Sequence, residues 1–230
     1  MRPYLFSVDQ FFANGEAVRS YAELLKYDYV LDPLDATTKY PGVNMDVPQA
    51  LQNEVSENLR IIFCNRPVKI NMIGFRLSLS TEPQSAWWHA DTPVAQYNLI
   101  VYLDKARIGG TAIGRHKNGM WTYPESKEEV ALWAKDTNDP SKWEMLAFVD
   151  SDFNRAAIIP SYLQHARMPR DGYGTSVQDG RLTMLAFFDI VGTEAEASRQ
   201  VEQFINSKDQ QKALSDVQSQ ELIPPKARRY

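Results

Sequence analysis

The stretch Lys69-Ile70-Asn71-Met72-Ile73-Gly74-Phe75-Arg76-Leu77-Ser78-Leu79-Ser80 sets Ile73, Phe75, Leu77 and Leu79 against Gly74, Arg76, Ser78 and Ser80. Apolar and polar residues alternate with period two, the pattern of a strand with one apolar and one polar face. More strands follow it: 96–103 (QYNLIVYL), a third opening at Gly109-Gly110-Thr111-Ala112-Ile113, then 145–149, 156–159 and 181–191. Ahead of it the period is helical. Phe11, Phe12, Val18, Tyr21, Leu24 and Leu25 predict a helix over 10–27 with Asp9 as N-cap, and Leu51, Val55 and Leu59 predict a second over 48–60. Residues 32–48 carry Pro33, Pro41, Gly42 and Pro48 and read as loop. A polar insertion spans 119–142, and Ser126 with Glu129 three residues on predicts a capped short helix at 126–135. An amphipathic helix is expected over 193–217, ahead of Pro224-Pro225 and a basic tail, Lys226 to Arg229. With no repeat and no linker, 1–230 is expected to be one domain. Its class is α+β, mainly β, a β-sandwich or jelly roll with flanking helices.

Composition narrows the function. The 230 residues are 43% hydrophobic and 11% aromatic, enough for a sizeable core. A net charge of -4 argues against broad nucleic-acid binding, which needs a basic field. One cysteine, Cys64, excludes an internal disulfide or a thiolate zinc site, and its apolar neighbours Ile61, Ile62 and Phe63 predict burial. The start, Met1 to Asp9, has no secretory h-region, and no apolar run is long enough to cross a bilayer, so a soluble intracellular protein is the expectation.

Chemistry concentrates at His89-Ala90-Asp91, with His165 and Arg181 far downstream. On an extended segment His89 and Asp91 leave the same face, so one strand end can supply two ligands about 90° apart. Two imidazoles and a carboxylate suit Fe(II) on one triangular face, with three positions left open. Such a tripeptide also arises by chance, and a zinc hydrolase can use the same ligands. Arg181 opens an otherwise apolar strand, RLTMLAFF, where an unpaired charge is strongly unfavourable. Its partner is either an internal carboxylate or a substrate carboxylate held by the guanidinium fork. Thr183 shares its face and adds a hydroxyl. Asn98 and Ile100 share a face with Tyr102, making Asn98 a polar lining residue. His116, in a polar basic stretch, reads as an exposed rim residue. Arg76 either lines a pocket or pairs on the surface, and Trp121, Trp133 and Trp143 are either the core of the insertion or a lid.

As an ordered set, WWHAD, YNLIVYLD, GGTAI, QHARMP and GRLTMLAFF resemble the Fe(II)- and 2-oxoglutarate-dependent oxygenases, especially the prolyl-4-hydroxylase-like branch, over about 69–191. The resemblance implies a double-stranded β-helix with iron at its open end, held by His89, Asp91 and His165. It implies Arg181 on the C5 carboxylate of 2-oxoglutarate, with the Tyr102 hydroxyl reaching the same group. The implied activity consumes O2 and 2-oxoglutarate and hydroxylates a small-molecule or peptidyl C–H, releasing succinate and CO2. Asp91 as a ligand argues against a halogenase, which needs that coordination position for halide. The long stretch between His165 and Arg181 and the 119–142 insertion depart from the branch. Competing readings are a cupin-type metal enzyme that does not use 2-oxoglutarate, and a non-catalytic jelly-roll interaction module.

Overall fold

Strands β4 (Val68–Ser78) and β10 (Arg181–Ile190) pair antiparallel along their lengths and form the spine of the molecule. The computed structural model describes residues 5–31, 39–82, 87–91 and 94–192; the helix expected over 193–217 lies outside them, as does the basic tail. The remaining strands are β1 (Phe6–Val8), β2 (Asp28–Leu31), β3 (Lys39–Asn44), β5 (Tyr97–Tyr102), β6 (Gly110–His116), β7 (Trp143–Asp150), β8 (Ala156–Pro160) and β9 (His165–Met168). They form a seven-stranded sheet ordered β1-β8-β5-β10-β4-β3-β2 and a three-stranded sheet ordered β7-β6-β9. A bridge between His89 and His165 adds the 87–91 segment beside β9. From β4 onward the chain enters the large sheet, the small sheet at His89, the large sheet at β5, the small sheet at β6 and β7, then β8, β9 and β10 by turns. That winding is a jelly roll, the double-stranded β-helix.

Period-two alternation decides which side chains meet. Leu182, Met184, Ala186 and Phe188 of β10 pack with Phe75 and Leu77 of β4 in one core, covered by helices α1 (Gly15–Glu23) and α2 (Gln49–Ile62). The other face looks into the roll, where Ile100, Tyr102, Ile113, Val149 and Ile159 form a second core with Leu185 against it. A third cluster, Trp88, Ala112, Met120, Trp143 and Ala166, covers the outer face of the small sheet.

Several expectations are corrected. The first helix begins at Gly15 with Asn14 as its cap, not at Gln10 with Asp9. The Asn154 side chain holds both the N–H and the C=O of Phe12, and its backbone carbonyl holds the N–H of Phe11, so that stretch is anchored before a helix can start. Asp9 instead pairs with Arg155. The stretch expected as loop contains β3, and Pro41 is tolerated there because β3 pairs with β4 only at Val43 and Asn44. Cys64 is exposed, because α2 has ended and Cys64 takes φ 55° in the left-handed turn that follows. The capped helix of the insertion is α3 (Lys127–Asp136), and it carries the full reciprocal Ser126–Glu129 capping box. The tryptophans do not form one cluster: Trp133 and Trp143 lie on the outer face, whereas Trp121 packs against the inner core.

Candidate metal centre

His89 and His165 are directly opposed across an antiparallel pair. The His89 N–H donates to the His165 carbonyl at 3.0 Å, and the His165 N–H donates to the His89 carbonyl at 2.8 Å. Their rings stand 4.4 Å apart, and the Asp91 N–H donates to the Ser161 carbonyl at 2.8 Å. Asp91 Oδ1 lies 3.7 Å from His89 Nε2, and Asp91 Oδ2 lies 3.1 Å from His165 Nε2. One ligand atom from each residue falls within 4.8 Å of the others.

This geometry fits one ion. Donors held about 2.1 Å from a metal and about 90° apart lie about 3 Å from each other. Each imidazole also has its other nitrogen engaged: Nδ1–H of His89 donates to the Trp87 carbonyl at 3.0 Å, and Nδ1–H of His165 to the Leu163 carbonyl at 2.9 Å. Those bonds select the tautomer whose Nε2 lone pair points at Asp91, the arrangement in which histidine binds a metal. Asn98 Nδ2 donates to Asp91 Oδ2, while its Oδ1 accepts from Ser161 Oγ at 2.6 Å. Asn98 thus orients the carboxylate directly.

The electrostatics follow from these contacts. Burial pushes the Asp91 carboxyl up, but His165, His89 and the Asn98 amide outweigh it and hold the group at about 2. Burial also opposes a charged His165, yet the Asp91 carboxylate prevails and raises its pKa. His89 is lowered, by burial first and then by His165, and its side chain is 36% exposed against 5% for His165. The triad opens to solvent on the His89 side.

Arg181 and Thr183 point into the roll, opposite Ser78 and Arg76 of β4. Arg181 is 5% exposed, and among the described residues it forms no ion pair. Among the described residues its Nη2 reaches only the Gly110 carbonyl, at 3.5 Å, and its Nε has no hydrogen-bond partner, while the guanidinium lies 5.7 Å over the Tyr102 ring. Burial lowers its pKa, and Asp104 opposes that shift from beyond ion-pair range. Tyr102 directs its hydroxyl to Thr111 Oγ1 at 2.7 Å, and Thr183 Oγ1 approaches the Arg76 carbonyl at 3.4 Å.

Sequence reading missed three features. Arg167 follows His165 by two on β9, and the same-face rule would have found it. It donates to Glu82 at 2.9 Å, and Glu82 also accepts from Arg76, which resolves the Arg76 question in favour of a half-buried pair. Asp104, buried beside Tyr173 and Arg181, had no periodic signal. His116 is not a rim residue: it is 4% exposed, with Nε2 3.1 Å from Asp136 and Nδ1 2.7 Å from Asn118. Alternation along β6 puts His116 on the outer face with Ala112 and Gly114, and the bulge, whose extra residue Leu146 lies on β7, brings Trp143 over it.

Fold and site together define a jelly-roll protein with a two-histidine, one-aspartate triad whose ligand atoms lie close enough together to hold one metal ion. The chain belongs to DUF6445, a family of unknown function whose model matches residues 2–188. That description names no branch of any enzyme superfamily, the prolyl-4-hydroxylase-like one included. No curated protein matches the sequence. Among solved structures, AviO1 from Streptomyces viridochromogenes Tue57 is similar in fold, with a TM-score of 0.52 at 15% identity over 81% of this chain and 90% of that one. EctD from S. alaskensis, solved with 2-oxoglutarate and 5-hydroxyectoine, gives 0.49 at 13% identity over 83% of this chain and 73% of that one. HygX from Streptomyces hygroscopicus, solved with nickel and 2-oxoglutarate, gives 0.46 at 15% identity over 80% and 82%. Among the described residues no helix is long and apolar enough to cross a membrane.

Proposed function

We propose that this protein is a non-heme Fe(II)- and 2-oxoglutarate-dependent oxygenase that hydroxylates a C–H bond of a small-molecule or peptidyl substrate. The observation that carries this reading is the pairing of two features facing into one roll. The ligand triad has both Nε2 atoms directed at Asp91, and Arg181 is a buried cation with no carboxylate of its own among the described residues. His89 and His165 would hold Fe(II) through Nε2, and Asp91 through a carboxylate oxygen. The Arg181 fork suits the C5 carboxylate of 2-oxoglutarate, with the Thr183 hydroxyl on the same face. When bound, the ion and 2-oxoglutarate supply the oxidation by O2 of a substrate C–H to C–OH, coupled to release of CO2 and succinate. The chain contributes orientation and exclusion of water. Asn98 keeps Asp91 turned toward the imidazoles, the two backbone carbonyls keep the ring tautomers, and the apolar inner core walls off the roll. Tyr102, its hydroxyl on Thr111, gives Arg181 an aromatic surface to rest on.

The test is anaerobic addition of Fe(II) and 2-oxoglutarate, followed by admission of O2 with succinate measured. The expected result is a weak visible charge-transfer band that is lost in His89→Ala, and succinate release from the intact protein. A band that persists in His89→Ala, or none in the intact protein, refutes the reading.

A further inference from the structure

The 119–142 insertion connects β6 to β7, and α3 sits on the side of the small sheet away from the roll interior. Register fixes the sides: His165 pairs with Ile113 of the inner core, whereas Ala166 pairs with Ala112 of the outer cluster, where Trp133 packs. The 87–91 segment follows the same alternation, with Trp88 in the outer cluster and His89 facing His165. Among the described residues this segment makes one bridge to β9, at His89, and Trp87 Nε1–H donates to the Arg167 carbonyl of β9 at 2.8 Å.

The end of α3 supplies the rest. The Trp88 carbonyl accepts from Trp133 Nε1–H at 2.7 Å and from the Thr137 hydroxyl at 2.6 Å. The Trp88 N–H donates to the Thr137 carbonyl at 3.2 Å, and the Trp87 N–H donates to Asn138 Oδ1 at 3.1 Å. The peptide between Trp88 and His89 is planar, so fixing its carbonyl fixes its N–H, which donates to the His165 carbonyl. One rigid unit therefore joins α3 to the backbone of both imidazole ligands. The end of α3 is pinned in turn: Asp136 pairs with buried His116, and its carbonyl accepts from Trp143 Nε1–H at 2.8 Å. The Trp88 ring stacks on Trp143 at 5.2 Å.

We propose that the insertion is a positioning element for the metal centre: through the Trp88 carbonyl, Trp133 and Thr137 set the placement of His89. This rests on the metal-centre reading. Loss of such outer support typically weakens metal binding by 10- to 100-fold. The experiment titrates the metal-stripped full chain with Co(II), by calorimetry and visible absorption, in wild type, Thr137→Ser, Thr137→Val and the Thr137→Val/Trp133→Phe double variant. Urea unfolding of each metal-free form is measured alongside. The double variant is expected to bind Co(II) about 10-fold or more weakly with shifted visible bands, whereas Thr137→Ser keeps wild-type binding. A purely structural role would lower the unfolding midpoint and leave affinity and spectrum unchanged; a folded double variant behaving so overturns the proposal. If the double variant does not fold, Thr137→Val decides, with an expected weakening of about fivefold and wild-type affinity as the overturning result. Failure of the wild type itself to bind Co(II) removes the metal reading, and is seen before any substitution is made.

Discussion

Replacing Arg181 with methionine is expected to reverse the sign of a stability difference when ligand is added. The guanidinium is buried, and among the described residues its Nε has no hydrogen-bond partner and its nearest acceptor is a carbonyl 3.5 Å away. A cation so placed carries a desolvation penalty of several kcal/mol. The Tyr102 ring at 5.7 Å offsets about 2 kcal/mol of it, and the marginal hydrogen bond about 1 kcal/mol. Arg181→Met, which keeps much of the volume, should therefore stabilise the unliganded protein by about 1–2 kcal/mol in urea unfolding. With Co(II) present and 2-oxoglutarate at 100 times its Kd, the wild type gains about 2.7 kcal/mol. The variant loses the charge-assisted fork, about 3 kcal/mol and more than a hundredfold in Kd. At the same concentration it gains only about 0.3 kcal/mol. The order of stabilities should then invert. The opposing case is that Asp104 serves as the arginine's partner at longer range. Removing Arg181 would then strand a buried carboxylate and destabilise the unliganded form by about 3–5 kcal/mol. That outcome, or equal stabilisation of both proteins by 2-oxoglutarate, refutes the reasoning.

Asn98→Leu removes the amide that holds Asp91 and should weaken Co(II) binding by about 10-fold or more, measured by calorimetry, with little change in fold by circular dichroism. Burial raises the Asp104 carboxyl above its usual 3.8, against the pull of the Tyr173 hydroxyl and Arg181. A carboxyl raised on folding loses stability as pH climbs from the unfolded value through the folded one, and stays destabilising above it. Asp104→Asn should therefore raise the urea midpoint at neutral pH, with the gain shrinking as pH falls toward 3.8; a gain that grows on acidification would contradict this. A Cβ on Gly114 would lie 2.3 Å from the Trp88 ring, so Gly114→Val should destabilise by about 1–3 kcal/mol. It should also change the tryptophan fluorescence, since Trp88 stacks on Trp143.

The one-dimensional pattern by itself determined most strands of the roll, the capping box of α3 and the pairing of His89 with Asp91 on one face as candidate ligands. Each of these is written in local spacing: period two in Ile73, Phe75 and Leu77, a hydroxyl three residues before a glutamate, an imidazole two residues before a carboxylate. Local spacing says which side chains share a face, but not what that face meets. Only the tertiary structure decided that His89 and His165 stand opposite each other and that Arg181 is left without a carboxylate partner among the described residues. It also decided that His116 is buried on Asp136, that Cys64 is turned outward, and that Asn154 delays the first helix. β1 and β9 are too short for a period to register, and each exists because a neighbouring strand is there to pair with it. Partners brought together from distant parts of the chain are chosen by sheet winding and bulges, and those act across the fold rather than along the sequence.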